Sequence, residues 1–189
     1  MILRWVHKYV IILVLFCFSI FVPLLIPLAE IENDSQQQVF LNFEKEILDL
    51  IYSSIGPLNK LDRVMGEESL YNIALSAEQK LAENSMTLAQ LKVPTTLSDD
   101  IKTSLENIKD DLSIGLKALE KSMNHLAQYI VKRNPLLYDK FTEDYDKGFL
   151  YIYGVLTSLT TIRSQLVSNI SMIDKNRSVS RKVRSASSG

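Results

Sequence analysis

Residues 98–133 read SDDIKTSLENIKDDLSIGLKALEKSMNHLAQYIVKR, and the placing of their apolar side chains decides the fold class. Ile101, Leu105, Ile108, Leu112, Leu116, Leu119, Met123, Leu126 and Ile130 follow one another by steps of three or four. At about 3.6 residues per turn these positions share one stripe of a helix, whereas on a strand they would scatter over both faces. Ser98 suits the N-cap, and Asp99 and Asp100 put negative charge in the first turn, where the helix dipole favours it. Lys132 and Arg133 do the converse at the far end, and Pro135 stops the run. A helix over 98–133 is about 54 Å long.

Three more stripes flank this one. Tyr138, Phe141, Tyr145, Phe149, Ile152, Leu156, Leu159, Ile162, Leu166, Ile170 and Ile173 follow it. Val39, Phe40, Phe43, Ile47, Ile51, Ile55, Leu58 and Met65 form the earliest, which Gly56-Pro57 is expected to kink or interrupt. Leu70, Ile73, Ala74, Ala77, Leu81, Leu88 and Leu91 lie between Gly66 and Pro94. No alternating apolar–polar run and no Asn-Gly or Asp-Gly pair marks a hairpin. The expectation is an all-α protein: an antiparallel up-down four-helix bundle of long helices over 34–174. A three-helix bundle with a frayed first element is the nearest alternative.

Ahead of the bundle, Tyr9–Ala29 (YVIILVLFCFSIFVPLLIPLA) has no charged residue. About 20 apolar residues suffice to cross a bilayer as a helix. Arg4, His7 and Lys8 precede the run, and Glu30, Glu32 and Asp34 follow it. Cationic flanks stay in the cytoplasm, so 1–8 is expected inside, 9–29 across the membrane as a single pass, and 34–174 extracytoplasmic. Pro23 and Pro27 also suit the end of a cleaved signal peptide, which would make the protein secreted. The small residues that cleavage needs are poorly matched, however, because a cut after Ala29 would put Pro27 and Ala29 at the two small-residue positions before it, and proline fits there badly. A retained anchor is therefore the favoured reading. The single cysteine, Cys17, lies within this run and excludes a disulfide inside the chain.

The net charge of −1 hides an uneven distribution. Residues 30–174 carry 14 Lys and Arg against 22 Asp and Glu, a net of −8. Such a body disfavours nucleic acid as a partner, since polyphosphate binding needs a clustered basic face. Residues 175–189 (KNRSVSRKVRSASSG) hold Lys175, Arg177, Arg181, Lys182 and Arg184 with no acid. Rich in Ser and without apolar periodicity, they are expected to form a disordered tail; a solvated terminus is the favoured account, and its cations are the candidates for contact with anionic lipid headgroups or an anionic wall polymer.

Little in the chain points to chemistry. His125 has no Cys, His or carboxylate at i±3 or i±4 with which to share a metal. The acidic pairs Glu67-Glu68, Asp99-Asp100, Asp110-Asp111 and Glu143-Asp144 are sequence neighbours, so each pair diverges by about 100° on a helix. No nucleophile elbow or phosphate loop is present. No catalytic, cofactor-binding or metal-ligating residue is assigned. One local excess remains, since six of sixteen aromatic residues fall within 138–153. Tyr145, Phe149, Tyr151 and Tyr153 are the candidate patch for a protein partner or small ligand, and burial in the bundle is the competing account.

The Leu91–Pro94 break before a long helix, with an aromatic-rich helix behind it, resembles small membrane-anchored extracytoplasmic helical proteins of Gram-positive bacteria. The resemblance implies an address at the envelope and no activity. The functional expectation is a non-enzymatic, membrane-tethered bundle that binds another protein. A sensor-like bundle acting through a partner and a phage-type lysis helper are the alternatives.

Overall fold

Gly66 adopts φ 112°, a left-handed backbone that only glycine takes up readily, and the second of the four described helices starts immediately after it. The computed structural model describes residues 35–61 and 66–186, with side chains as far as 167. The helices are α1 (Ser35–Leu58), α2 (Glu67–Gln90), α3 (Asp99–Lys132) and α4 (Pro135–Ala186). Among the described residues there is no strand.

The boundaries follow local chemistry. α1 stops one residue past Pro57. α2 opens with Glu67 and Glu68 and gives way to the Leu91–Leu97 linker, in which Leu97 is buried against the core. At the start of α3 the Asp100 carboxyl is held below the usual carboxylate range, chiefly by a hydrogen bond with the Ser98 side chain and then by the Ile101 backbone N–H. Arg133 closes α3 in a left-handed conformation, its N–H donating to the Tyr129 carbonyl at 2.8 Å. Asn134 then caps α4 by accepting the Leu136 N–H at 3.1 Å. Pro135 is well suited to the first helical position, because its missing N–H has no partner there to lose.

Cross-helix contacts set the directions. Glu67 meets Arg133 and Glu78 meets Asn124, so α2 and α3 are antiparallel. The pairs Tyr129–Tyr138 and Gly115–Tyr151 show the same for α3 and α4. Asn84 bonds Ser53 and Ser54 of α1, and Glu44 bonds Arg163 of α4. The order is up-down-up-down, with α1 touching α4 less extensively than α3 does.

The core is built from the expected stripes. On α3, Leu105, Ile108, Leu112, Leu116, Leu119, Met123 and Leu126 are buried. The first six pack with Phe40, Ile47 and Ile51 of α1, Leu81 and Leu88 of α2, and Ile152, Val155 and Leu159 of α4, while Leu126 packs with Ala74 of α2 and Ala127 in a smaller cluster. Two details differ from the sequence expectation. On α4 the fully buried line runs Gly148, Ile152, Val155, Leu159, Ile162, while Leu156 is only half-buried. And α4 continues through 175–186, where a disordered tail was expected. No proline or glycine follows Gly154 within α4, and Lys and Arg are good helix formers, so nothing local stops it.

The expected anchor at 9–29 and the cytoplasmic segment 1–8 lie outside the described residues. Among the described residues no helix is long and apolar enough to cross a membrane.

Candidate functional site

The seam between α3 and α4 gathers most of the unusual side chains. It is narrowest where Gly115 faces Gly148. A Cβ at Gly148 would stand 2.5 Å from the Leu119 Cγ and 3.0 Å from the Gly115 carbonyl, so the backbones meet there without room for a methyl group. Toward the α3–α4 turn the seam is filled by stacked rings. Tyr129, Tyr138, Phe141, Tyr145 and Phe149 form a continuous ladder with centroid spacings of 5.2, 5.7, 5.5 and 4.8 Å, each pair tilted. Tilted rings at this range place positive ring edges against negative faces.

The four residues of the candidate patch are divided by this arrangement. Tyr145 and Phe149 are half-buried rungs of the ladder, one helical turn apart. Tyr151 turns toward α3, its Cβ 3.1 Å from where a Cβ on Gly115 would stand. Tyr153 alone is strongly exposed, at 62%. It shares the outer face of α4 with Leu150, which is 69% exposed. Consecutive helical positions are about 100° apart, so the five residues of FLYIY could not all point one way.

That outer face continues through Gly154, Thr157, Thr160, Thr161 and Ser164, all exposed. Each hydroxyl donates to a carbonyl one turn back, as with Thr157 to Tyr153 at 3.0 Å and Thr161 to Thr157 at 3.0 Å. Thr160 and Ser164 do likewise at 2.8 and 2.9 Å. With those protons engaged by the helix's own backbone, the threonine methyls are left as much of the surface. From Gly148 to Ile162 the helix carries no charge.

Helix-internal spacing did not reveal the polar pairing of the seam. His125 Nδ1 lies 3.1 Å from Asp144 Oδ2, within ion-pair range once the imidazole is protonated, yet off the line along which an N–H would donate. One turn before it, Ser122 is fully buried and donates to the Leu119 carbonyl at 2.7 Å. Its hydroxyl therefore offers no accessible nucleophile. Among the described residues no group of three or more His, Cys, Asp or Glu is placed to hold a metal ion.

A second polar contact ties α1 to α4. Glu44 is 3% exposed, and its Oε2 accepts from Arg163 Nη2 at 2.6 Å and Nε at 3.1 Å. Burial pushes the Glu44 carboxyl above its ordinary range, against the pull of the Arg163 guanidinium. The cations Lys175, Arg177, Arg181, Lys182 and Arg184 fall on the final turns of α4.

Compared with models of known protein families, with curated proteins and with solved structures, the chain matches none.

Proposed function

We propose that this is a non-enzymatic, membrane-tethered protein of the cell envelope whose helical bundle docks another protein. The tether is the charge-free run Tyr9–Ala29, with its cationic side in the cytoplasm and the bundle outside. The resemblance to anchored Gram-positive envelope proteins favours the same address. The observation that carries the docking surface is the outer face of α4, where Leu150 and Tyr153 stand exposed on a stretch free of charge. Large apolar side chains grouped on one face more often mark an interface than solvent-exposed structure does.

Two experiments test this. The intact mass of the protein from membrane and medium fractions checks the tether, with full length in the membrane as the expected result. A product lacking roughly residues 1–29 in the medium would mean secretion instead. A photo-crosslinking residue at position 153, in intact membranes, should give one discrete adduct that Leu150→Ser abolishes without changing thermal unfolding. Equal adducts from position 153 and from the exposed α3 position Lys117 would sink the docking face.

A further inference from the structure

Opposite the buried line of α4, a second line of side chains keeps a strict period along the surface. Leu136, Asp139, Glu143 and Asp146 lead into Leu150, Tyr153, Thr157, Thr160, Ser164 and Val167 by alternating steps of three and four, and every one of them is exposed. Such steps average about 3.5 residues, the repeat by which one helix packs along another. The band has two parts. Over 150–167, about 26 Å, it holds no charge, and Leu150, Tyr153 and Val167 are its large apolar members. The side chains between them are small, and beside them a Cβ on Gly154 would meet nothing within 4 Å. The hydroxyls of Thr157, Thr160 and Ser164 already donate to backbone carbonyls, so covering them strands no donor. Over 139–146, about 10 Å, the band is acidic throughout. Glu143 stands four residues after Asp139 and three before Asp146, spacings at which like charges on a helix repel. Lys140 and Lys147, three before and four after Glu143, are the cations of the same helix that compete for it.

We propose that the partner docked on this face is an amphipathic helix of another protein, apolar where it covers 150–167 and cationic at the end that lies over 139–146. This rests on the docking reading above and names the partner of that same face. The period selects a helix, because only a helix returns a side chain to one line every three or four residues. The small residues between Tyr153 and Val167 leave room for the partner's large apolar side chains, as holes do for knobs. Charge decides the rest. A second copy laid parallel would set Asp139, Glu143 and Asp146 against themselves, which repels. Lys or Arg at one end of the partner instead offsets the repulsion among the three acids, and it fixes the direction in which the partner lies.

The test uses the full chain in a non-ionic amphipol and fluorescently labelled helical peptides of about 28 residues. Each peptide carries Leu at the core heptad positions over two thirds of its length and Lys at those positions over the rest, with the Lys segment at either end. Anisotropy should show a Lys peptide binding about ten-fold more tightly than its Glu counterpart, and about 0.5 M salt should remove the preference. Asp139→Lys combined with Glu143→Lys should reverse it, and Leu150→Ser combined with Tyr153→Ser should abolish binding of both peptides, each with unchanged thermal unfolding. Where a variant melts early, the exchange of Lys for Glu in the peptide decides on the unaltered chain. Equal binding of the Lys and Glu peptides overturns the cationic partner and leaves the docking face standing. Binding of neither, while a photo-crosslinker at position 153 still gives one discrete adduct, overturns the helical partner and leaves the face standing. An adduct of the chain with itself assigns the face to a second copy and overturns the proposal. Absence of both peptide binding and adduct sinks the docking reading, and this proposal with it.

Discussion

Arg163, on the half-open flank of α4, holds the buried Glu44 of α1 through two donors that converge on one oxygen, Oε2, at 2.6 and 3.1 Å. The two residues are 119 positions apart in sequence, and their contact joins the first and last helices of the bundle. Glu44 is nearly inaccessible while Arg163 keeps about half its side chain in water. The cost of desolvation therefore falls chiefly on the carboxylate.

Arg163→Met should therefore destabilise the bundle by about 1–3 kcal/mol at pH 7, because it leaves a buried carboxylate without its cation. The pH dependence has a definite sign. The folded Glu44 pKa is raised above its ordinary 4.5, so this group favours folding most fully below that value. Its contribution is lost as pH rises through the folded pKa. The Arg163→Met penalty should shrink on going from pH 7 toward 4.5, and Glu44→Gln should erase that change. Urea unfolding at both pH values checks this; an equal penalty at each would refute the buried-carboxylate account.

Gly148→Ala and Gly154→Ala should have opposite effects, though both exchange a helical glycine for a better helix former. At Gly148 the new methyl meets Leu119 Cγ at 2.5 Å, and separating the helices costs about 1–3 kcal/mol. At Gly154 nothing lies within 4 Å, so the gain in helix propensity, about 0.5–1 kcal/mol, remains. Thermal unfolding should show a fall of several degrees for the first and a small rise for the second, at about 2–4 °C per kcal/mol. A rise for both would mean that the α3–α4 contact is looser than described.

Asn84→Ala removes the donor that reaches Ser53 at 2.9 Å and Ser54 at 2.7 Å across the α1–α2 interface. Ser54 keeps its own bond to the Leu50 carbonyl at 2.7 Å, which limits the damage. A loss of about 1–2 kcal/mol is expected, mostly from the vacated buried position. Denaturant unfolding that shows no loss would indicate that α1 docks through its apolar stripe alone.

Phe149→Ala and Tyr153→Ala separate a ladder rung from a surface ring four residues along the same helix. Phe149 is half-buried against Tyr145, with centroids 4.8 Å apart, and its removal should cost about 1–3 kcal/mol. Tyr153 should change stability by less than about 0.5 kcal/mol, because its ring stands in solvent. Circular-dichroism melts of the two variants give the answer, and a large loss for Tyr153→Ala would place it in the core.

Much of this fold can be read locally. Ser98, Asp99 and Asp100 start α3 where their chemistry says a helix should start, Pro94 and Pro135 bracket it, and the stripe from Leu105 to Leu126 is buried as its spacing requires. The misreadings have a common origin. On α4, apolar and aromatic residues extend around much of the circumference, so spacing alone admits several neighbouring stripes. Val155 and Gly148, not Leu156, proved to face the centre. His125 looked solitary because its companion Asp144 is on the next helix, beyond any i±4 search.

The sequence by itself determined that the described chain is helical, where α3 starts, and which face of α3 is apolar. These are consequences of hydrogen bonds and side-chain neighbours within one or two turns, and they need no partner. Only the tertiary structure decided which turns of different helices stand opposite one another. A shift of one residue rotates a helix face by about 100°. That rotation is selected by close packing at sites such as Gly115–Gly148 and by polar contacts such as Asn84–Ser54 and Glu44–Arg163. The same packing separated Tyr145 and Phe149 from Tyr153.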